Sequence, residues 1–136
     1  MDKFAMIIFG ASGDLTKRKL MPALYSLFRE KRLTGDFHIL GIGRTIYSDE
    51  DYRSYISGEL RTFVKSEEQD AALMEAFISH LYYLPMDPAK EEGYVMLRQR
   101  LVELTNEVDP DNLLFYLATP PSLYGVVPLH LKAAGL

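Results

Sequence analysis

The sequence contains no cysteine, which excludes disulfides and thiolate metal sites. Its three histidines, His38, His80 and His130, lie far apart and form no H-x-x-H or H-E-x-x-H pair. No bound metal is expected. No apolar run approaches the ~18 residues that a membrane-spanning helix needs, so no membrane partner is expected. The N-terminus enters an apolar strand almost at once, without a basic-then-apolar leader. The expectation is therefore no secretory signal and a cytoplasmic location. Basic residues are not in surplus: 15 Lys and Arg stand against 19 Asp and Glu, for a net charge of −4. Nucleic-acid binding usually needs a basic face, and none is expected here. Repeats and low-complexity linkers are also missing. The 48% hydrophobic and 25% charged residues are ordinary for a folded chain, and 136 residues suit one domain with a real core.

What is present is an alternation of short apolar runs with longer helical periods, the signature of βαβ units and a parallel sheet. A first strand over Phe4–Phe9 is too uniformly apolar to be half-exposed. A short turn from Asp14 to Lys19 follows, then a helix with Pro22 in its first turn and Leu20, Leu24, Leu27 and Phe28 along one face. Further strands are expected over Phe37–Ile42, His80–Pro85 and Leu113–Ala118. Ser48-Asp49-Glu50-Asp51 starts a helix running to about Val64. Ser66-Glu67-Glu68-Gln69 reads as a capping box for another, ending near Ser79. Asp87-Pro88 reads as a helix start, Asp109-Pro110-Asp111-Asn112 as a turn, and Pro120-Pro121-Ser122 as the opening of a last helix ending near Gly135. The fold class is thus α/β: a Rossmann-type open parallel sheet in the order 3-2-1-4, with helices on both faces and incomplete at its C-terminal side.

The chemistry concentrates in GASGDLTKRK, Gly10 to Lys19, where a buried strand ends in a glycine turn that opens a helix. Such a turn places backbone N–H groups and a positive helix end against a phosphate. Gly10 permits the tight turn, and Gly13 lets backbone approach a pyrophosphate. Asp14 can cap the helix, and Ser12 offers a hydroxyl. Ser12 and Leu15 stand where G-x-G-x-x-G has glycines, and no G-K-[ST] closes the loop, so it is not a P-loop. After the second strand, where an NAD site carries Asp or Glu, the chain reads Gly43-Arg44-Thr45. A guanidinium there can grip the 2′-phosphate of NADP, whereas a carboxylate would repel it. In the basic cluster, Arg18 reads as solvated, and Lys19 could point into the cleft at the strand ends. Leu117-Ala118-Thr119-Pro120-Pro121 is either a rigid turn or part of a nicotinamide site, and Tyr124 packs on coenzyme or on core. The Tyr82-Tyr83 pair reads as strand packing.

The run IIFGASGDLTKRKLMPALYSLF, continued by GIGR and FYLATPPSLY in order and spacing, resembles the glucose-6-phosphate dehydrogenase family. The resemblance implies oxidation of glucose 6-phosphate at C1 to the lactone, with hydride passing to NADP, the first step of the oxidative pentose phosphate pathway. It implies that Gly10 to Leu15, including Ser12, Gly13 and Asp14, bind the pyrophosphate and that Arg44 takes the 2′-phosphate. Met86 and Asp87 would border the adenosine, and Ala118, Pro120, Pro121 and Tyr124 the nicotinamide side. Lys19 matches the family's helix lysine, which reaches the substrate region. The family's E-K-P-F-G and D-H-Y-L-G-K motifs, the second carrying the histidine base, do not occur in these residues. The expectation is a truncated coenzyme domain, inactive alone, of an enzyme that is a homodimer or homotetramer. An open sheet edge would promote self-association of the piece. Two alternatives are a non-catalytic NADP-sensing or partner-binding Rossmann module and a short-chain dehydrogenase. The latter needs Tyr-x-x-x-Lys, and none of the 9 tyrosines has lysine four residues on.

Overall fold

The structure, a computed structural model, describes residues 4–33, 36–105 and 112–136. Strand β1 (Phe4–Phe9) has two apolar faces because layers cover both. Phe4 and Ile8 face one layer of the core, while Ala5, Ile7 and Phe9 face the other. Beside β1 lie β2 (Phe37–Gly43), then β3 (Leu81–Pro85), and on the other side β4 (Leu113–Leu117). All pairs are parallel and the order is β3-β2-β1-β4, as the sequence pattern predicts. The first layer holds α1 (Met21–Arg29), α2 (Asp49–Phe63) and α3 (Ala71–Ile78). The second holds α4 (Glu92–Thr105) and α5 (Val126–Ala133).

Pro22 stands at the start of α1 and is preceded by a π-helical turn, Thr16–Leu20, whose last N–H, that of Met21, bonds Thr16 O. The wide turn continues the helix to a residue whose ring would crowd a regular preceding turn. Two helix starts differ from the sequence reading. Ser66–Glu68 is only a 3₁₀ turn, and Asp70 caps α3 by accepting from the N–H groups of Ala72 and Leu73. The Gln69 amide donates instead to the carbonyls of Arg61 and Val64, closing the end of α2. Asp87 likewise accepts from Ala89 N in a turn, and α4 begins at Glu92. Of the expected turn at 109–112, residues 109–111 lie outside the described residues.

The outer edge of β3 is covered by side chains of α2. Asp49 accepts from Tyr83 N at 2.8 Å, and Arg53 donates to Leu81 O at 2.7 Å. Asp49 also pairs with Arg100 of α4, so one carboxylate ties an edge strand to both helical layers.

Candidate functional site

The crevice lies beyond the C-terminal ends of the strands, where the order reverses between β1 and β4; in open α/β sheets this switch point is the usual ligand position. Gly10 ends β1 with φ +86°, and a Cβ on it would lie 2.1 Å from Ala118 O at the end of β4. Glycine here serves the fold: it brings β1 and β4 together at the crevice floor. The N–H groups of Gly10 and Ala11 both bond Ile42 O. The carbonyl of Gly10 accepts from Gly13 N at 3.1 Å and from the hydroxyl of buried Thr16 at 2.8 Å. Thr16 is a support that the sequence reading missed, and nothing local in the sequence distinguishes it.

Gly13 differs from Gly10. Its φ is not left-handed, and a Cβ on it would touch only Gly10 O, at 3.4 Å. The folded chain therefore has no need of glycine at this position, which fits a turn kept bare for an incoming group. Asp14 and Leu15 occupy the first helical turn, where backbone N–H groups have no partner within the helix. The expected cap by Asp14 is not formed. Asp14 is itself helical and exposed, and its carboxylate faces Lys17 at 3.5 Å and Arg18 at 3.9 Å. Lys17 also approaches Glu59 at 4.0 Å. Lys19, in the π-helical turn, is exposed and belongs to none of the ion pairs among the described residues.

Four tyrosines support the crevice from beneath. Tyr52 donates to Ala11 O at 2.9 Å, Tyr55 to Ser12 O at 3.3 Å, and Tyr83 to Thr45 O at 2.6 Å. Tyr47 packs edge-on to Tyr83 and stacks on Tyr55. Gly41 and Gly43 make the room: a Cβ on Gly41 would lie 2.7 Å from that of Ala11, and one on Gly43 would lie 2.7 Å from the Tyr83 hydroxyl and 3.3 Å from Ser12 Oγ. Burial, reinforced by the neighbouring phenols, pushes the Tyr52 phenol far above its usual range. Burial and then Tyr47 push Tyr83 up to about 12, against a hydrogen bond with Ser12 that lowers it. These phenols therefore stay neutral donors at ordinary pH. Only the Tyr82-Tyr83 pair was noticed in the sequence, and there as strand packing. Tyr82 does pack, beneath the guanidinium groups of Arg53 and Arg100, but Tyr83 reaches the crevice. Tyrosines at 52 and 55 one helical turn apart, opposite two glycines of β2, are the signal that could have revealed the cluster.

Beside this cluster, Arg44, Ile46, Pro85, Met86 and Asp87 line a cavity of about 430 Å³, within the usual size of small-ligand sites. The structure thus brings Arg44, Met86 and Asp87 together. Arg44 is exposed and in no ion pair among the described residues. Met86 donates its N–H to Gly43 O at 2.9 Å and packs its side chain on Gly93. Exposed Ile46 was not anticipated.

At the end of β4, Ala118 N bonds Phe9 O, and Pro120 leads into a 3₁₀ turn, Pro121–Leu123, before half-exposed Tyr124. No described peptide bond is cis. Thr119 Oγ1 is buried there without a partner among the described residues. The histidines lie elsewhere: His38 and His80 sit at the N-terminal ends of β2 and β3, and His130 on α5 stacks on Tyr94.

The family profile described as "Glucose-6-phosphate dehydrogenase, NAD binding domain" matches residues 7–136. Over 132 residues the chain is 46% identical to glucose-6-phosphate 1-dehydrogenase of Aggregatibacter actinomycetemcomitans, covering 96% of this chain and 26% of that enzyme. The Treponema pallidum enzyme of the same name is 36% identical over 127 residues, 93% of this chain and 25% of its own length. A solved structure of glucose-6-phosphate dehydrogenase in complex with its substrate glucose 6-phosphate superposes with a TM-score of 0.83 at 35% identity, over 96% of this chain and 27% of that one. The chain therefore spans about a quarter of the length of the relatives it matches.

Proposed function

Since the chain belongs to the glucose-6-phosphate dehydrogenase family by way of its NAD-binding domain, we propose that it seats NADP across the strand ends, as the coenzyme-binding part of an enzyme oxidising glucose 6-phosphate. One observation carries the preference for NADP. The loop after β2 offers an exposed guanidinium, Arg44, in no ion pair among the described residues, on the rim of the cavity, where an NAD site presents a carboxylate. The bare turn at Gly13 and the N–H groups of Asp14 and Leu15 suit a pyrophosphate. Pro85, Met86 and Asp87 offer a wall for the adenosine. Ala118, Pro120, Pro121 and Tyr124 stand at the far end of the crevice, where they would border the nicotinamide and fix its face.

When bound, NADP supplies the acceptor for the C1 hydride. The chain's own residues hold that acceptor in place, which is how a coenzyme domain contributes to the rate. In this reading exposed Lys19 faces the substrate's end of the cleft. A general base must still take the C1 hydroxyl proton, and none of the three histidines stands at the C-terminal strand ends, where the crevice lies. Without one the rate would fall by roughly 10²–10⁴-fold. These 136 residues would bind coenzyme and not turn substrate over.

Calorimetric titration of the chain with NADP and with NAD tests the reading. Saturable binding that prefers NADP is expected. Binding that prefers NAD would remove the role given to Arg44, and no binding of either would remove the coenzyme site from the isolated chain.

A further inference from the structure

We propose that Tyr83 is the positioning residue that sets the preference for NADP over NAD, by fixing the loop that carries Arg44; this rests on the coenzyme reading above. Arg44 is exposed, and a free guanidinium on a loose loop discriminates poorly, because the ligand must order it on binding. Here the loop is pinned on both sides of Arg44. Met86 N bonds Gly43 O at 2.9 Å, and the Tyr83 hydroxyl bonds Thr45 O at 2.6 Å. The second pin is a side chain, so a substitution can remove it alone.

The hydroxyl is held for this purpose. Its ring is buried between Tyr47, 5.3 Å away and edge-on, and Tyr52, 4.7 Å away. The backbone of Tyr83 is fixed by Asp49, which in turn pairs with Arg100. Gly43 leaves the hydroxyl its place, since a Cβ there would lie 2.7 Å from it. The other tyrosines act on a different segment: Tyr52 and Tyr55 hold the carbonyls of Ala11 and Ser12, in the turn that would face the pyrophosphate common to both coenzymes. Tyr83 thus holds the loop that reads the 2′-phosphate, while Tyr52 and Tyr55 hold the backbone of the turn that does not; the Tyr83 hydroxyl meets only the side chain of Ser12 there.

The test is a double-mutant cycle of Tyr83→Phe and Arg44→Ala, read by titration with NADP and NAD. Tyr83→Phe should weaken NADP about tenfold, one hydrogen bond's worth of positioning, and leave NAD within about twofold. On the Arg44→Ala background it should have no further effect on NADP, because a positioning residue acts only through the group it positions. Thr45 is exposed, so water can replace the lost phenol and the melting temperature should hold. Gly43→Ala, whose Cβ would lie 2.7 Å from the same hydroxyl and 3.3 Å from Ser12 Oγ, should weaken NADP more than NAD and serves if Tyr83→Phe does not fold. Equal losses for both coenzymes, additive effects in the cycle, or unchanged NADP affinity would each overturn the assignment. If the wild-type chain binds NAD as well as NADP, the coenzyme reading fails first, and this one with it.

Discussion

Gly10→Ala is expected to destabilise the chain by about 3–5 kcal/mol and to lower its melting temperature by on the order of 10–20 °C. Two costs combine. A Cβ at φ +86° lies in the left-handed region that residues other than glycine avoid, and the same atom would meet Ala118 O at 2.1 Å. That oxygen is backbone at the end of β4, whose neighbouring N–H is bonded to Phe9 O, so relief requires the two strands to part. Against a typical domain stability of ~5–15 kcal/mol the loss is large. Gly13→Ala is the contrast. Its Cβ makes only an ordinary contact at 3.4 Å with the chain, so stability should stay within about 1 kcal/mol. Coenzyme binding should nevertheless fall, because the methyl group occupies the bare turn. Thermal melts of both variants, with an NADP titration of the second, check the pair. A Gly10→Ala chain melting within a few degrees of wild type would contradict the geometry of the turn.

Arg44→Ala should weaken NADP by ~2–4 kcal/mol, about 30- to 1,000-fold in Kd, and barely change NAD. The argument is electrostatic and local. The 2′-phosphate is the difference between the two coenzymes, and a guanidinium can meet it with charge-assisted, often bidentate bonds. Since Arg44 is exposed, the interaction should weaken as salt rises, and NAD binding should be far less sensitive. Titrations at two ionic strengths measure both effects. Equal losses for the two coenzymes would show that Arg44 supports the site in general and does not read the phosphate.

The parts of the fold legible in the sequence were those written in period and punctuation. Phe4–Phe9 reads as a doubly buried strand because every residue is apolar, and Gly10 marks its end because a tight turn follows. The strand order follows from four parallel strands with helical connections. Helix starts were legible only in part, since short polar side chains have more than one use. Ser48 caps α2 through its hydroxyl as its pattern suggests. The pattern at Ser66 looks the same, yet Gln69 turns back to the preceding helix and leaves capping to Asp70. For the candidate site, Arg44, Met86 and Asp87 could be named from their positions at strand ends, and they do line one cavity. The tyrosines beneath them could not, because Ala11 and Tyr52 are 41 residues apart and only the folded sheet brings them together. The expected cap by Asp14 fails for a simpler reason: the helix already includes Asp14, and its exposed carboxylate lies beside Lys17 and Arg18.

The central claim is that one coenzyme spans the turn at Gly13 and the loop at Arg44. Mapping amide chemical shifts of the isotope-labelled chain during NADP addition tests it most directly. The account predicts the largest changes at Ser12 to Leu15 and at Gly43 to Ile46, the second group moving far less with NAD. Changes confined to another surface, such as the groove between α2 and α3 lined by Arg61, Gln69 and Met74, would contradict it.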